Sequence, residues 1–508
     1  MTTKTWLGLP ASIAAWLLFA AVAFAPLPLG SNEPAAVAFW CIVLGACLVL
    51  APVRSLGPGE LALGGLAVLV VAAYAFVLHE QLADHPWLAA PHPLWHEAET
   101  ALGVPLAPSV SIARHQPWFE LGRPLVCVLA MACGFLVGAD RGRAGALLKV
   151  IAWSGAAYAI YGILAHLLDP GHILWRDKDA YGGSVTGTFI NRNTAGAYFG
   201  SCAVVWSLLL WQAVRHQAPR GPLSWRKLFA RLFENTPMTV VLDFAMLFVC
   251  LAAMFLTVSR GAVLLSLLAL IVAFNAYFRR DLPGRAGLLT ALAASAAGAI
   301  ILLQFMGAGI NARFDFQGAS DEGRLETYRA TLRMIADHPW FGTGQGTFAY
   351  AFPAYRSSHV SMWGVWDIAH NTLLEIAADM GVPIAALVVA AWVVIFAVLV
   401  HGARVRRHDR IFPIAGLAVG ILAVLHSLID FSLQIPGYAI VVLSLIGAGL
   451  SQSFATSKSN KFGRLSGGIA RQSREEIGEA MIGAAAMDAA HTKDGVLTVG
   501  AGSDHPLP

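Results

Sequence analysis

Charged side chains are scarce in this chain. Asp, Glu, Lys and Arg make up 13% of its 508 residues, against roughly 25% in a soluble domain. With 57% hydrophobic residues and a mean hydropathy of +0.64, that scarcity excludes an ordinary soluble domain and points to a polytopic membrane protein. Cysteine is also sparse, and all six (Cys41, Cys47, Cys127, Cys133, Cys202 and Cys250) lie inside apolar runs with no CxxC pair. This pattern speaks against a disulfide framework or a zinc site and fits small core residues. The first apolar run, Leu7 to Leu29, lacks a small-residue cleavage site and reads as a first span rather than a removed signal peptide. No internal repeat of the kind seen in many transporters is visible. The net charge of +4 says little in itself, and no nucleic-acid partner is expected.

Long apolar runs are abundant. A spanning helix needs about 20 apolar residues. Such runs fall near 9–28, 35–53, 60–79, 122–139, 147–168, 194–214, 238–257, 260–278, 286–306, 382–401, 411–430 and 436–454, twelve spans in all, with 238–278 open to packing as a broken pair. The expected fold is all-α, polytopic, with a membrane domain over 1–450 and a large outside loop over about 307–370. Sixteen Lys and Arg residues, among them Arg54, Arg141, Arg215, Arg280 and Arg404, gather in alternate short connections, which sets both termini on the cytoplasmic side. Within one such connection, 223–234 spaces Trp225, Leu228, Phe229 and Leu232 against Arg226, Lys227 and Arg231 as a lipid-anchoring helix would. The tail 451–508, rich in Gly, Ser and Ala, reads as disordered and cytoplasmic.

On the outside face three helix mouths carry candidate chemistry. FINRNTAG places Arg192 between Asn191 and Asn193 at the start of one span; TVSRGAVL places Arg260 in a tight turn; IAHNTLLE places His370 before another helix. An arginine at a membrane boundary must snorkel, pair or face a wet cavity. Arg192, with amide donors on both sides, and Arg260, on the side poor in basic residues, suit the bidentate holding of a diphosphate. His370 at a helix N-terminus suits a neutral, basic ring, with Asp367 three residues earlier as an acidic partner and Asn371 beside it. Glu375 falls on another face and reads as an exposed helix charge. His426 and Asp430, one turn apart, either pair structurally or shape the site.

Between these mouths, DEGRLETYRATLRMIADHPW is an amphipathic helix whose Leu325, Tyr328, Leu332 and Ile335 form an apolar stripe for packing. Gly342, Gly344 and Gly346 in GTGQG precede no basic residue, so they read as a tight turn and not a nucleotide loop. Asp177 and Asp179 have DxD metal spacing, a three-residue coincidence that carries little weight, and no metal or cofactor is expected. Arg313, Arg324, Arg329 and Arg356 either pair with acidic neighbours or meet anionic sugars.

Taken in order, FINRNTAG, SRGA, HPWFGTGQGTF, AHNTLLEIAADMG and HSLIDFSLQIP resemble the bacterial O-antigen ligase and polysaccharide polymerase superfamily, over roughly residues 185–440. The resemblance implies a C-type glycosyltransferase-like membrane fold. It implies inverting, metal-independent transfer of a glycan from a polyprenyl diphosphate carrier, at the periplasmic face of the inner membrane. Arg192 and Arg260 would hold the diphosphate and His370 would act as base. The acceptor would be lipid A core, another glycan or a protein, with membrane lipid around the enzyme. The rival reading is a transporter or flippase of lipid-linked glycan, which would place charges mid-span and not at one face. An inactive relative serving as an assembly scaffold is a third.

Overall fold

Each expected apolar run is a helix. In the computed structural model the described residues are 8–52, 54–217, 234, 236–281, 284–306, 322–358, 360, 366–406 and 408–454, all within the unit that ends at Phe454. The basic segment 223–233 and the tail 455–508 lie outside the described residues. The apolar helices are α1 (Gly8–Phe24), α2 (Pro34–Leu50), α3 (Pro58–Leu82), α6 (Gly122–Val137), α7 (Arg141–Leu168) and α8 (Arg192–Gln217) in the first half. The second half adds α9 (Met238–Leu256), α10 (Arg260–Phe278), α11 (Gly284–Met306), α15 (Val382–Val405), α16 (Ile411–Ser427) and α17 (Pro436–Phe454). Among the described residues nine helical stretches are long and apolar enough to cross a bilayer, α6 among them only with the preceding turn from Gln116, while α1, α2 and α16 are shorter than such a span. The chain is an all-α polytopic membrane protein.

Helix ends follow local chemistry. Pro34 and Pro58 open α2 and α3, where a missing N–H is harmless. Ser259 caps α10 by accepting from the Ala262 amide. The residues 238–278 are two helices broken at Thr257–Ser259, and both pack on α8 rather than on each other. At the centre, α17 is buried on almost every side, against α6, α16, α15 and α1. Small residues permit that approach: a Cβ on Gly447 would stand 2.2 Å from the Met131 carbonyl of α6. In contrast α3 and α11 leave apolar faces open, as lipid-facing helices do.

The two ends of the bundle differ. At one end, Arg54 pairs with Glu60, Arg215 with Asp281 at 3.0 Å and Arg141 with Asp409 at 2.7 Å. The other end carries most of the short elements among the described residues. It holds the short helices α4 (Leu94–Leu102) and α5 (Gln116–Glu120) and a two-stranded hairpin, β1 (His172–Ile173) with β2 (Arg176–Asp177), antiparallel with His172 opposite Asp177. In the hairpin Asp177 pairs with His172 at 3.0 Å, while Lys178 Nζ donates to the Ser184 carbonyl. It also holds α12 (Glu322–Asp337), α13 (Phe348–Tyr355) and α14 (Thr372–Met380). Thr188 Oγ1 bonds the Pro26 carbonyl at 2.6 Å and the Val185 amide bonds the Leu256 carbonyl at 2.9 Å, which draws the loops after α1, α7 and α9 together.

The α12 stripe differs from expectation. Thr327, Ala330, Thr331, Met334 and Ile335 are buried, whereas Leu325 and Leu332 are exposed. The helix is rotated because its small residues, not its leucines, pack on α14; Tyr328 stays half-buried because its hydroxyl has a polar partner below. Gly342, Gly344 and Gly346 form a turn with φ of +67°, +117° and +71°. It clasps the far end of α14: the Thr343 amide bonds the Ala378 carbonyl and the Gly344 amide the Asp379 carbonyl, at 2.9 and 3.1 Å. These satisfy helix-end acceptors that have no partner inside the helix. Gln81 of α3 donates to the Phe341 and Asp379 carbonyls, at 2.7 and 2.8 Å, and locks the turn to a spanning helix.

A Cβ at position 342 would meet the Asp379 backbone at 2.3 Å, whereas one at Gly65 of α3 meets nothing. Gly342→Ala is therefore expected to destabilise the detergent-solubilised protein by more than the about 1–3 kcal/mol of backbone strain alone. Gly65→Ala should be neutral or stabilising, by up to about 1 kcal/mol. Thermal unfolding of the two variants checks both.

Candidate active site

Arg192 is the first residue of α8 and Arg260 the first of α10, so both guanidinium groups stem from helix N-termini at the irregular end of the bundle. Helix N-termini favour anions, through free amides and the macrodipole. Arg192 stacks over the Tyr181 ring at 4.8 Å and reaches Ser184 Oγ at 3.4 Å. Its Nε is buried with no hydrogen-bond partner, and among the described residues it makes no ion pair. Arg260 and Arg324 both lie near enough to act on it electrostatically.

The flanking asparagines are engaged in building the turn. Asn191 is buried, and its Oδ1 accepts from the Asn193 amide at 2.6 Å, as a helix cap does. Asn193 Nδ2 donates to Asp430 Oδ2, and its Oδ1 accepts from Ser259 Oγ at 2.8 Å. The Asn193 amide thus joins three helix ends and is not a free donor for phosphate.

Asp430, in the turn between α16 and α17, is the junction. It is 1% exposed. Oδ1 accepts from the Phe431 amide at 2.8 Å and faces His370 Nδ1 at 3.5 Å; Oδ2 takes the Asn193 amide and lies 3.7 Å from Arg324 Nη2. Arg324 Nη1 also donates to the Ile429 carbonyl at 2.6 Å. Burial works to raise the Asp430 pKa, but the facing His370, His426 and Arg324 outweigh it, and the carboxyl sits below its ordinary range. An ionised, buried carboxylate therefore stands beside the imidazole. At 3.5 Å the contact with Nδ1 is electrostatic rather than a formed hydrogen bond. With Nδ1 turned to Asp430, Nε2 lies on the opposite edge of the ring.

His370 is held in an unusual backbone state, with φ +53°. A left-handed conformation costs a side-chain-bearing residue about 1–2 kcal/mol. Its ring packs between Phe431 and Trp366, at centroid distances of 5.2 and 6.0 Å. Asn371 is the N-cap of α14, its Oδ1 accepting from the Leu374 amide at 3.1 Å. Asp367 is exposed, and the acidic neighbour of the ring is Asp430. His426 is buried, with Nδ1 2.8 Å from Ser432 Oγ, and acts on Asp430 through space.

Sequence reasoning missed Tyr328, whose hydroxyl donates to the His370 carbonyl at 3.0 Å, and misread Glu375. Glu375 is half-buried, not exposed, and its Oε2 accepts from the Ala369 amide at 2.8 Å. Burial pushes its carboxyl up to about 7, against the Ala369 amide and Gln434. The five-residue spacing from His370 gave no helical reason for that contact; only the left-handed turn folds the chain back on it. Arg324 had a signal, an arginine in an otherwise apolar-striped helix, but nothing in its spacing pointed to Asp430.

Fold and site together define an all-α membrane protein whose histidine, buried carboxylate and arginines converge at one end of the bundle. Residues 245–389 match the family model described as O-antigen ligase, a segment holding Arg260, Arg324 and His370 but neither Arg192 nor Asp430. That match supports the O-antigen ligase and polysaccharide polymerase superfamily for this chain, and with it a ligase or polymerase role on glycans. No curated protein matches the chain.

Two buried carboxyls predict opposite pH behaviour. Asp430 is lowered, so its contribution to stability is present above the unfolded value, about 3.9, and is lost as pH falls through the lower folded value. Asp379 is raised well above its ordinary value by burial, with Glu375 and Glu120 adding to it. Its contribution is full at low pH and is lost as pH rises. Thermal midpoints should therefore show Asp430→Asn below wild type near neutrality, with the gap closing toward pH 3. Asp379→Asn should match wild type in acid and exceed it at pH 8, by on the order of 2 °C.

Proposed function

We propose that the protein is an inverting glycosyltransferase that moves a glycan from a polyprenyl diphosphate carrier to an acceptor hydroxyl, at the periplasmic face of the bacterial inner membrane. The observation that carries this reading is the chain His370–Asp430–Asn193–Ser259, which ties a base to the two helix ends bearing Arg192 and Arg260. Both termini would then be cytoplasmic, since the irregular end of the bundle is the one poor in short arginine-rich connections.

In the reaction, Arg192 and Arg260 hold the diphosphate where the lipid carrier meets water. The bond between sugar C1 and the phosphate oxygen breaks, and the charge growing on the leaving diphosphate is met by fixed cations at two helix N-termini. The acceptor oxygen bonds C1 from the opposite face, which inverts the anomeric centre. Its proton passes to His370 Nε2, while Asp430 stabilises the imidazolium and fixes the ring through Nδ1. Asp430 remains ionised throughout, in keeping with its lowered pKa. The α12–α14 segment frames the acceptor side. Transport of a lipid-linked glycan is the less supported reading, because the site's charges sit at one end of the bundle and not mid-span.

Purified protein should transfer glycan from a lipid diphosphate donor when offered lipid A core, a second lipid-linked glycan and a protein as acceptors. His370→Ala and Asp430→Asn should each lower kcat by about 100-fold or more. Arg192→Lys and Arg260→Lys should weaken donor binding by about tenfold, because a lysine cannot supply the bidentate fork. Full transfer by His370→Ala would remove the base assignment; unchanged donor binding in both lysine variants would remove the diphosphate role.

A further inference from the structure

The base of the proposed reaction sits on a strained residue, and something must hold it there. His370 has φ +53°. An imidazole on a relaxed extended backbone would point elsewhere, since a change of φ at that residue swings the whole side chain. Two side chains hold the backbone close to this residue. On the N-terminal side, one peptide removed, Glu375 Oε2 accepts from the Ala369 amide at 2.8 Å. After it, Tyr328 Oη donates to the His370 carbonyl at 3.0 Å. Glu375 belongs to α14 and Tyr328 to α12, so the grip comes from two separate elements.

We propose that Glu375 and Tyr328 are positioning residues: together they clamp the left-handed turn at His370 so that Nδ1 faces Asp430 and Nε2 faces the acceptor. This rests on the reading of His370 as the base. Glu375 acts through the backbone and not as a second base, because one of its oxygens is already engaged by an amide. Gln434 lies near enough to the carboxyl to act on it, and its Nε2 donates to Thr372 Oγ1 at 3.3 Å. Thr372 in turn reaches the Asp430 carbonyl at 3.5 Å, which links the clamp to the turn that carries the ring's acidic partner. Burial holds the Glu375 carboxyl near 7, and a carboxyl oxygen accepts from the amide in either protonation state. A glutamine should therefore do the same work.

Three variants test this in the full-length protein. Glu375→Ala is expected to lower kcat about 100-fold, the loss that a misplacement of about 1 Å produces, with KM for donor and acceptor nearly unchanged. Glu375→Gln should restore kcat to within about threefold of wild type, and Tyr328→Phe, which removes only a hydroxyl, should lower it about tenfold. Hydrogen exchange of the 366–371 peptide should accelerate in Glu375→Ala and stay slow in Glu375→Gln. In a His370→Ala background, Glu375→Ala should cost nothing further, as residues acting as one unit do. Unchanged exchange in Glu375→Ala overturns the clamp. Fast exchange with unchanged kcat overturns its role in positioning, as does an unaffected Tyr328→Phe should the alanine variant fail to fold. Full activity of His370→Ala instead removes the base reading, while the exchange result still decides the clamp.

Discussion

A single buried carboxylate organises the irregular end of this molecule. Asp430 receives Asn193 from α8, the Phe431 amide from its own turn and Arg324 from α12, and it faces His370 at the entry to α14. Such a charge is costly to bury unless it is paired and hydrogen-bonded, and removing any one partner leaves the rest uncompensated. The consequence is mutual dependence. The turn between α16 and α17 can be buried only if helices distant in sequence bring donors to it, and those helices acquire their relative positions by doing so. Asn193 extends the chain to Ser259, which caps the helix that begins with Arg260. His370, Arg192 and Arg260 are thus set in one frame by polar contacts, without sharing any stretch of sequence.

A second constraint fixes the height of His370. The helix α14 is too short to hold itself in water, since isolated helices below about 12 residues are marginal. Its N-terminus is capped by Asn371 and its C-terminus by the glycine turn at 342–346. Gly381, with φ +88°, then passes so close to the Trp340 carbonyl that a Cβ would stand 2.1 Å away. Four glycines with positive φ (Gly342, Gly344, Gly346 and Gly381) and one positive-φ histidine therefore bracket nine residues of helix. The glycines serve this at no steric cost, while the histidine does not, so its conformation must be held by its surroundings.

Much of the fold was legible because apolar length is a one-dimensional property. Twelve runs gave twelve apolar helices, and prolines and a serine cap fixed several of their ends. The short helix before α15 stops where Gly381 and Pro383 stand in the sequence. What could not be read was rotation and reach. Leu325 and Leu332 looked like a buried stripe, yet the packing face of α12 is built from Thr327, Ala330 and Thr331, because a close neighbour favours small residues over large ones. Asp367 looked like the partner of His370 by proximity in sequence, yet Asp430, sixty positions on, holds that place. Glu375 looked solvated because helical spacing sets it on another face, and only the left-handed turn folds Ala369 back onto it. In each case the decisive contact joins elements whose register no local pattern encodes.

The division of the site between elements has a mechanistic logic. Arg192 and Arg260 begin helices that pack in the interior of the bundle, α8 above all, so their positions are set by the membrane core. His370 belongs to the extramembrane segment, whose polar contacts with the core include those to Asp430, the Ile429 carbonyl, Gln434 and Gln81. On the proposed function the donor chemistry is the same for every acceptor, a diphosphate leaving group on a lipid, whereas acceptors differ in shape. Fixed cations in the core and a base on the outer segment match that asymmetry. The outer segment is then free to vary in what it admits, provided Tyr328 and Glu375 still hold the ring and Asp430 still meets it.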